Sequence, residues 1–178
     1  MKILISSLAL ILLMFGCKNQ TEESVTTQIA ERAETTESVP VELEIVDFEG
    51  LKPLLHRSDD KVYVINFWAT WCAPCVKELP YFEKLNETYA DKHVEVILVS
   101  LDFPKQYEKK LKPFIEDRQL KSRVIALNDV DFNSWIGQVD ESWSGAIPAT
   151  VIYSKDKRKF YEASFEWEDL ESELKTFL

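Results

Sequence analysis

Cys72 and Cys75, separated by Ala73 and Pro74, are the residues of this chain best suited to chemistry. Two thiols at this spacing can close a small disulfide ring, so one can attack a foreign disulfide and the other can displace what it captures. The attacking species is the thiolate, and its neighbourhood decides how readily it forms. An apolar, largely β-branched and aromatic run from Val62 to Trp68 precedes the pair, and Leu79, Phe82, Leu85 and Tyr89 follow at helical spacing. The pattern predicts strand, short turn and helix, with both sulfurs at the helix start. There the free N–H groups and the positive end of the peptide dipole stabilise an anion. Pro74 suits a first helical turn, where no donor is missed. Cys72, nearer the helix end, is expected to be the more exposed nucleophile, and Cys75, one turn in, the buried resolving thiol.

Two blander readings compete: half of a zinc site, or two inert core thiols. Zinc needs about four ligands. Beyond scattered carboxylates the other candidates are Cys17, His56 and His93, with no second CxxC and no HxxxH. A CxxC at a strand-to-helix turn is the redox signature. No metal and no cofactor is implied, because electrons would pass between thiols. The net charge of −10 argues against nucleic acid as a partner, since phosphate binding needs basic patches. The four glycines, Gly16, Gly50, Gly137 and Gly145, build no phosphate-cradling loop.

The elements that must position the pair follow from periodicity. Val41 to Phe48 alternates as a strand, and Leu51, Leu54 and Leu55 suit a short helix. Val62 to Trp68 reads as a strand covered on both faces, interrupted by Asn66, whose amide must find partners. A helix over Ala73–Ala90, kinked at Pro80, follows. Val94–Ser100 is a second buried strand. Phe103–Leu120 carries a helical face, with a kink or break at Pro113. Arg123–Leu127 is a short strand, and Asp131–Gln138 a short helix capped by Asp131. Ala149–Tyr153 and Arg158–Phe165 form a hairpin around a Ser154–Lys157 turn. Trp167, Leu170, Leu174 and Phe177 mark a C-terminal helix. His56 and His93 read as surface and loop residues.

The start of the chain reads as an export signal. Lys2, a short apolar run from Ile3 to Phe15, and Gly16 precede Cys17. Leu13-Met14-Phe15-Gly16-Cys17 resembles a bacterial lipobox, with Met14 where leucine is usual. The resemblance implies a lipoprotein signal over 1–16 and lipidation of Cys17. Residues 17–40, rich in Glu, Thr and Ser, read as a flexible tether, and 41–178 as the folded domain. The expected location is extracytoplasmic, membrane-anchored through lipid and facing the periplasm.

The segment Phe67-Trp68-Ala69-Thr70-Trp71-Cys72-Ala73-Pro74-Cys75 resembles the active-site segment of the thioredoxin superfamily, and residues 43–178 are similar to its tethered TlpA- and ResA-like subgroup. Pro80 matches the kinking proline of the active-site helix. Ile147-Pro148 matches the cis-proline loop that faces the disulfide. Glu78 matches an acidic residue that several of these proteins carry beside the site. Asn66 departs, standing where ordinary thioredoxins bury an aspartate; it cannot titrate, so Glu78 is the candidate for proton exchange with Cys75. The resemblance implies an α/β thioredoxin fold, a mixed sheet with helices on both faces and extra residues between Val99 and Pro148. It further implies Trp71, Pro74, Ile147 and Pro148 as substrate-binding residues, with Trp143 either beside them or in the core. It implies a monomeric thiol–disulfide oxidoreductase, a reductase of exported protein disulfides with cytochrome c apoproteins as one substrate class, recharged by a membrane thiol donor. A disulfide-forming oxidase or isomerase on the same fold is the alternative, and a non-catalytic copper chaperone a more distant one. A peroxidase is disfavoured, because Thr70-Trp71-Cys72 lacks the Thr-x-x-Cys spacing of peroxiredoxins.

Overall fold

The computed structural model describes residues 42–178. The expected signal over 1–16, lipidated Cys17 and tether over 17–40 lie outside the described residues.

Strands β1 (Glu44–Val46), β2 (Val62–Trp68), β3 (Val94–Ser100), β4 (Arg123–Leu127), β5 (Ala149–Tyr153) and β6 (Arg158–Tyr161) form one sheet in the order β1-β4-β3-β2-β5-β6. The first four run parallel; β5 is antiparallel to β2, and β6 to β5. The helices are α1 (Phe48–Leu51), α2 (Ala73–Tyr89), α3 (Lys112–Arg118), α4 (Phe132–Val139) and α5 (Trp167–Lys175). No helix among the described residues is long and apolar enough to cross a membrane.

The alternation of a strand explains why β2 is apolar throughout: its two faces feed two cores. Val62, Val64 and Trp68 pack with Leu79, Phe82 and Leu85 of α2, Ile115 of α3, and Leu170 and Leu174 of α5. Tyr63, Ile65 and Phe67 pack with Phe48 and Leu51 of α1 and with Trp135 and Val139 of α4. Asn66 shares the even-numbered face and therefore points toward α2. This is the mixed sheet with helices on both faces that the resemblance implies. The segment between β3 and β5 carries α3, β4 and α4.

Several expected boundaries change. The first strand is only three residues long, because Asp47 caps a helix instead: its Oδ1 accepts the Gly50 N–H at 2.9 Å, which takes Phe48 out of the strand. The helical stretch expected over Phe103–Leu120, with a kink or break at Pro113, is broken into three pieces, a 3-10 turn at Pro104–Gln106, a π turn at Tyr107–Leu111, and α3. Pro113 has no N–H to give, and the wider turn before it, closed by Lys112 N–H to Tyr107 O, accommodates that loss at the start of α3. Gln119 at φ 52° then ends α3. Asp131 stands at the start of α4, but its side chain makes no cap; Ser134 N–H and hydroxyl bond its carbonyl instead. The final strand stops at Tyr161 rather than Phe165. The Ser154–Lys157 turn forms as expected, closed by Ser154 N–H to Lys157 O at 2.8 Å. Pro80 lies inside α2, which continues through it and leaves the Val76 carbonyl without its helical donor.

Candidate active site

The strand-to-helix junction places both sulfurs where the sequence pattern puts them. Cys72 is the N-cap of α2, with extended backbone (φ −92°, ψ 99°), and its Sγ accepts the Cys75 N–H at 3.3 Å. A sulfur in the capping position receives one of the helix's free donors, the arrangement that favours a thiolate once the bond is reduced. Here Cys72 and Cys75 are joined in a disulfide with their Cα atoms 5.3 Å apart. Cys75 is wholly buried, and Cys72 keeps 6% of its surface. The order of exposure is as expected, although even the outer sulfur is narrowly accessible in this oxidised form.

Ile147–Pro148 is a cis peptide, and its loop faces the pair. The Ile147 carbonyl oxygen lies 3.6 Å from Cys72 Sγ. A disulfide sulfur carries no proton, so this contact becomes a hydrogen bond only in a reduced thiol form. Trp71 is 54% exposed and stands at the edge of a cleft of about 400 Å³ that also involves Phe103, Phe132 and Ile147. A larger cleft, about 580 Å³, lies between α2 and α3. Neither cleft is lined by a cysteine, but the smaller one holds Trp71, next to Cys72 in the chain, and Ile147, whose carbonyl faces Cys72 Sγ, so it is the better candidate for holding a reacting chain. Trp143 is a core residue that also lines the cleft: it is buried, and its ring packs tilted against Phe67 and edge-on against Trp135, with centroids 4.8 Å and 5.6 Å apart. His56 and His93 are both exposed and take no part. Among the described residues no three His, Cys, Asp or Glu side chains group so as to hold a metal ion.

Glu78 sits three residues after Cys75 on the same buried face of α2 and is 1% exposed, not a surface carboxylate. Its Oε1 accepts from Asn66 Nδ2 at 2.9 Å and its Oε2 from the Phe165 N–H at 2.8 Å. Burial pushes its pKa up to about 7, against the lowering effect of those two donors. Asn66 Nδ2 also reaches Thr150 Oγ1 at 3.1 Å, while its Oδ1 is buried without a partner. A carboxyl that changes charge near neutrality, one turn from a buried thiol, is chemically able to exchange protons there.

Two further carboxylates brace the loops around the disulfide, and neither is evident from sequence pattern. Asp102, 1% exposed, accepts from Thr70 N–H at 3.0 Å, Thr70 Oγ1 at 2.6 Å and Ser100 Oγ at 2.9 Å. The signal that could have found it is register: Trp68 pairs with Ser100, so continuing the parallel strands by two residues sets Thr70 beside Asp102. Glu162 bonds the backbone at Ser144 and Ala146, just before the cis-proline. No local pattern marks it.

The family model described as AhpC/TSA matches residues 41–158. The chain belongs to the AhpC/TSA family. This AhpC/TSA member is 33% identical over 112 residues to the thiol-disulfide oxidoreductase ResA of Bacillus cereus, covering 63% of this chain and 60% of that protein, so the chain spans under two thirds of that relative's length. It is 31% identical over 133 residues to ResA of Bacillus thuringiensis, covering 74% of this chain and 72% of that one. A solved structure of a DsbF homologue from Corynebacterium diphtheriae shares the fold, with a TM-score of 0.55 at 21% identity over 67% of this chain and 73% of that chain. Fold, dithiol and sequence together group this family member with the ResA-like thiol–disulfide oxidoreductases.

Proposed function

We propose that this protein reduces disulfides in exported proteins, with Cys72 as nucleophile and Cys75 as resolving thiol. The observation that carries the reading is the Cys72 sulfur capping α2 while facing the Ile147 carbonyl. In the reduced protein, the Cys72 thiolate attacks one sulfur of a client disulfide. The client's S–S bond breaks, a Cys72–client bond forms, and the displaced client thiolate takes a proton. Cys75 then gives up its proton and attacks Cys72 Sγ. The mixed disulfide breaks, the Cys72–Cys75 bond forms, and the second client thiolate leaves. The client has gained two electrons and the protein has lost two. Glu78 is the group proposed to exchange the proton at Cys75, supported by its burial and its pKa of about 7. Pro148, which has no N–H, offers no donor to compete for the thiolate, and Trp71, Pro74 and Ile147 would line the client's path.

The finer parts of this reading rest on the sequence. Lys2, the Ile3–Phe15 run and Gly16-Cys17 support export and lipidation at Cys17, with 17–40 as tether and 41–178 as a monomeric periplasm-facing domain. A membrane thiol donor would restore the dithiol, and cytochrome c apoproteins are one class of client. Replacing Cys17 by Ser should move the protein from the membrane to the soluble fraction; continued membrane retention counts against the anchor.

The catalytic reading is tested by Cys72→Ser, which should lower disulfide reduction by at least about a thousandfold. Cys75→Ser should instead accumulate a mixed disulfide with clients, identifiable by mass spectrometry. Full activity in Cys72→Ser would end the proposal. Equilibration of the pair in glutathione and dithiothreitol buffers sets the direction: a potential well above that of the glutathione couple would favour the oxidase.

A further inference from the structure

The loop before Pro148 is held by one carboxylate. Glu162 lies just beyond β6; extending the β5–β6 register, in which Thr150 faces Tyr161, by one residue sets it opposite Ala149. From there it accepts hydrogen bonds from Ser144 N–H at 3.1 Å, Ala146 N–H at 3.0 Å and the Ser144 hydroxyl. Trp143 Nε1 donates to Ala146 O at 2.8 Å and ties the loop to the core. Gly145, at φ +94°, lets the backbone turn between the two ties, and a Cβ there would come within 3.1 Å of Ile136 Cδ1. The next residue after Ala146 is Ile147, whose carbonyl faces Cys72 Sγ.

We propose that Glu162 is a positioning residue for client disulfides: by clamping Ser144 and Ala146 it fixes the edge of chain at Ile147 against which an incoming polypeptide aligns. The proposal rests on the oxidoreductase reading above and adds a residue to it. All three bonds go to neutral donors within one three-residue stretch, and hydrogen bonds to an ionised acceptor are the stronger kind. The same donors, the Ser144 hydroxyl first, hold the Glu162 carboxyl below the usual glutamate range, so it is charged at neutral pH. The β5–β6 ladder closes at Thr150 and Tyr161 without it. Loss of the carboxylate therefore leaves the hairpin and the sulfur chemistry in place and loosens the loop. The effect falls on clients that use the loop edge and spares small disulfides that do not.

The test is Glu162→Gln in the full chain, read in three ways. Amide hydrogen exchange at Ser144 and Ala146 is expected to speed up by about tenfold while the β5 and β6 amides keep their rates. The KM for insulin disulfides is expected to rise about tenfold with kcat within about twofold, since three charge-assisted bonds support the docked geometry. The rate with hydroxyethyl disulfide should stay within about twofold of wild type. Glu162→Asp, which keeps the charge at shorter reach, should fall between, and it carries the same test if the Gln variant does not fold. Unchanged exchange at both amides overturns the proposal. So does an equal slowing toward insulin and hydroxyethyl disulfide, which would mark general damage. Failure of the wild-type protein to reduce any disulfide would sink the oxidoreductase reading instead, and the proposed role in client docking would fall with it even if the exchange result showed the clamp.

Discussion

Glu78 and Asp102 are buried to the same extent, each 1% exposed, yet the donors around them differ. Asp102 meets three donors, two from Thr70 and one from Ser100. Those bonds tie the residue two before Cys72 to the end of β3. Glu78 meets two donors, from Asn66 and the Phe165 backbone, on the inner face of α2. Burial outweighs those two bonds and lifts it to about 7. The lesson is that burial alone does not assign a role to a carboxylate. The donors around it decide how far the cost of burying its charge is offset.

The largest expected effect comes from removing the brace. Asp102→Ala leaves the Thr70 N–H and the Ser100 hydroxyl without an acceptor, and should destabilise the protein by about 3 kcal/mol, or about 10 °C in Tm. A loss under about 1 kcal/mol in calorimetry would erase the distinction.

Glu78→Gln should act through pH instead. Glu78 has a folded pKa of about 7 against an ordinary 4.5, so the folded state binds a proton more tightly than the unfolded chain. Its contribution is fully present below about pH 4.5 and is lost as pH rises toward and through 7, a change of up to about 3 kcal/mol. Denaturant titrations from pH 4 to 8 should show that downward slope in the wild type and a flatter profile in the Gln variant. In activity, Glu78→Gln should slow the resolving step up to about a hundredfold and remove an inflection near neutrality, read by stopped-flow decay of the mixed disulfide. Parallel pH profiles for the two proteins would make Glu78 a second brace.

The smallest effect belongs to Thr70→Val, which removes the 2.6 Å hydroxyl bond to Asp102 but keeps the Thr70 N–H. It should cost about 1 kcal/mol with little change in the pH profile. A large change in that profile would mean that Asp102 and Glu78 act as one coupled unit.

The chain's own order determined the parts that depend on near neighbours. A β-branched run, two thiols three apart and a helical repeat after them fix a strand, a turn and a helix, and so place both sulfurs at the helix start. Alternation in β2 likewise puts Asn66 on one face with Val64 and Trp68, and packing then sets that face against α2. Local pattern failed where a competing local bond won, as at Asp47, where a cap replaced a strand; at Pro113 it gave the break but not the π turn that absorbs the missing donor. Only the tertiary structure decided which carboxylate is buried and which is braced, and the Ile147–Pro148 loop across from Cys72 is implied by the family resemblance rather than by any local pattern. Phe165 reaches Glu78 across 87 residues, Thr70 meets Asp102 across 32, and Glu162 meets Ser144 across 18. Strand register creates the second and third meetings, and the packing of α2 against the chain beyond β6 creates the first; both are settled by the packing of whole sheet faces, which no short window of residues contains.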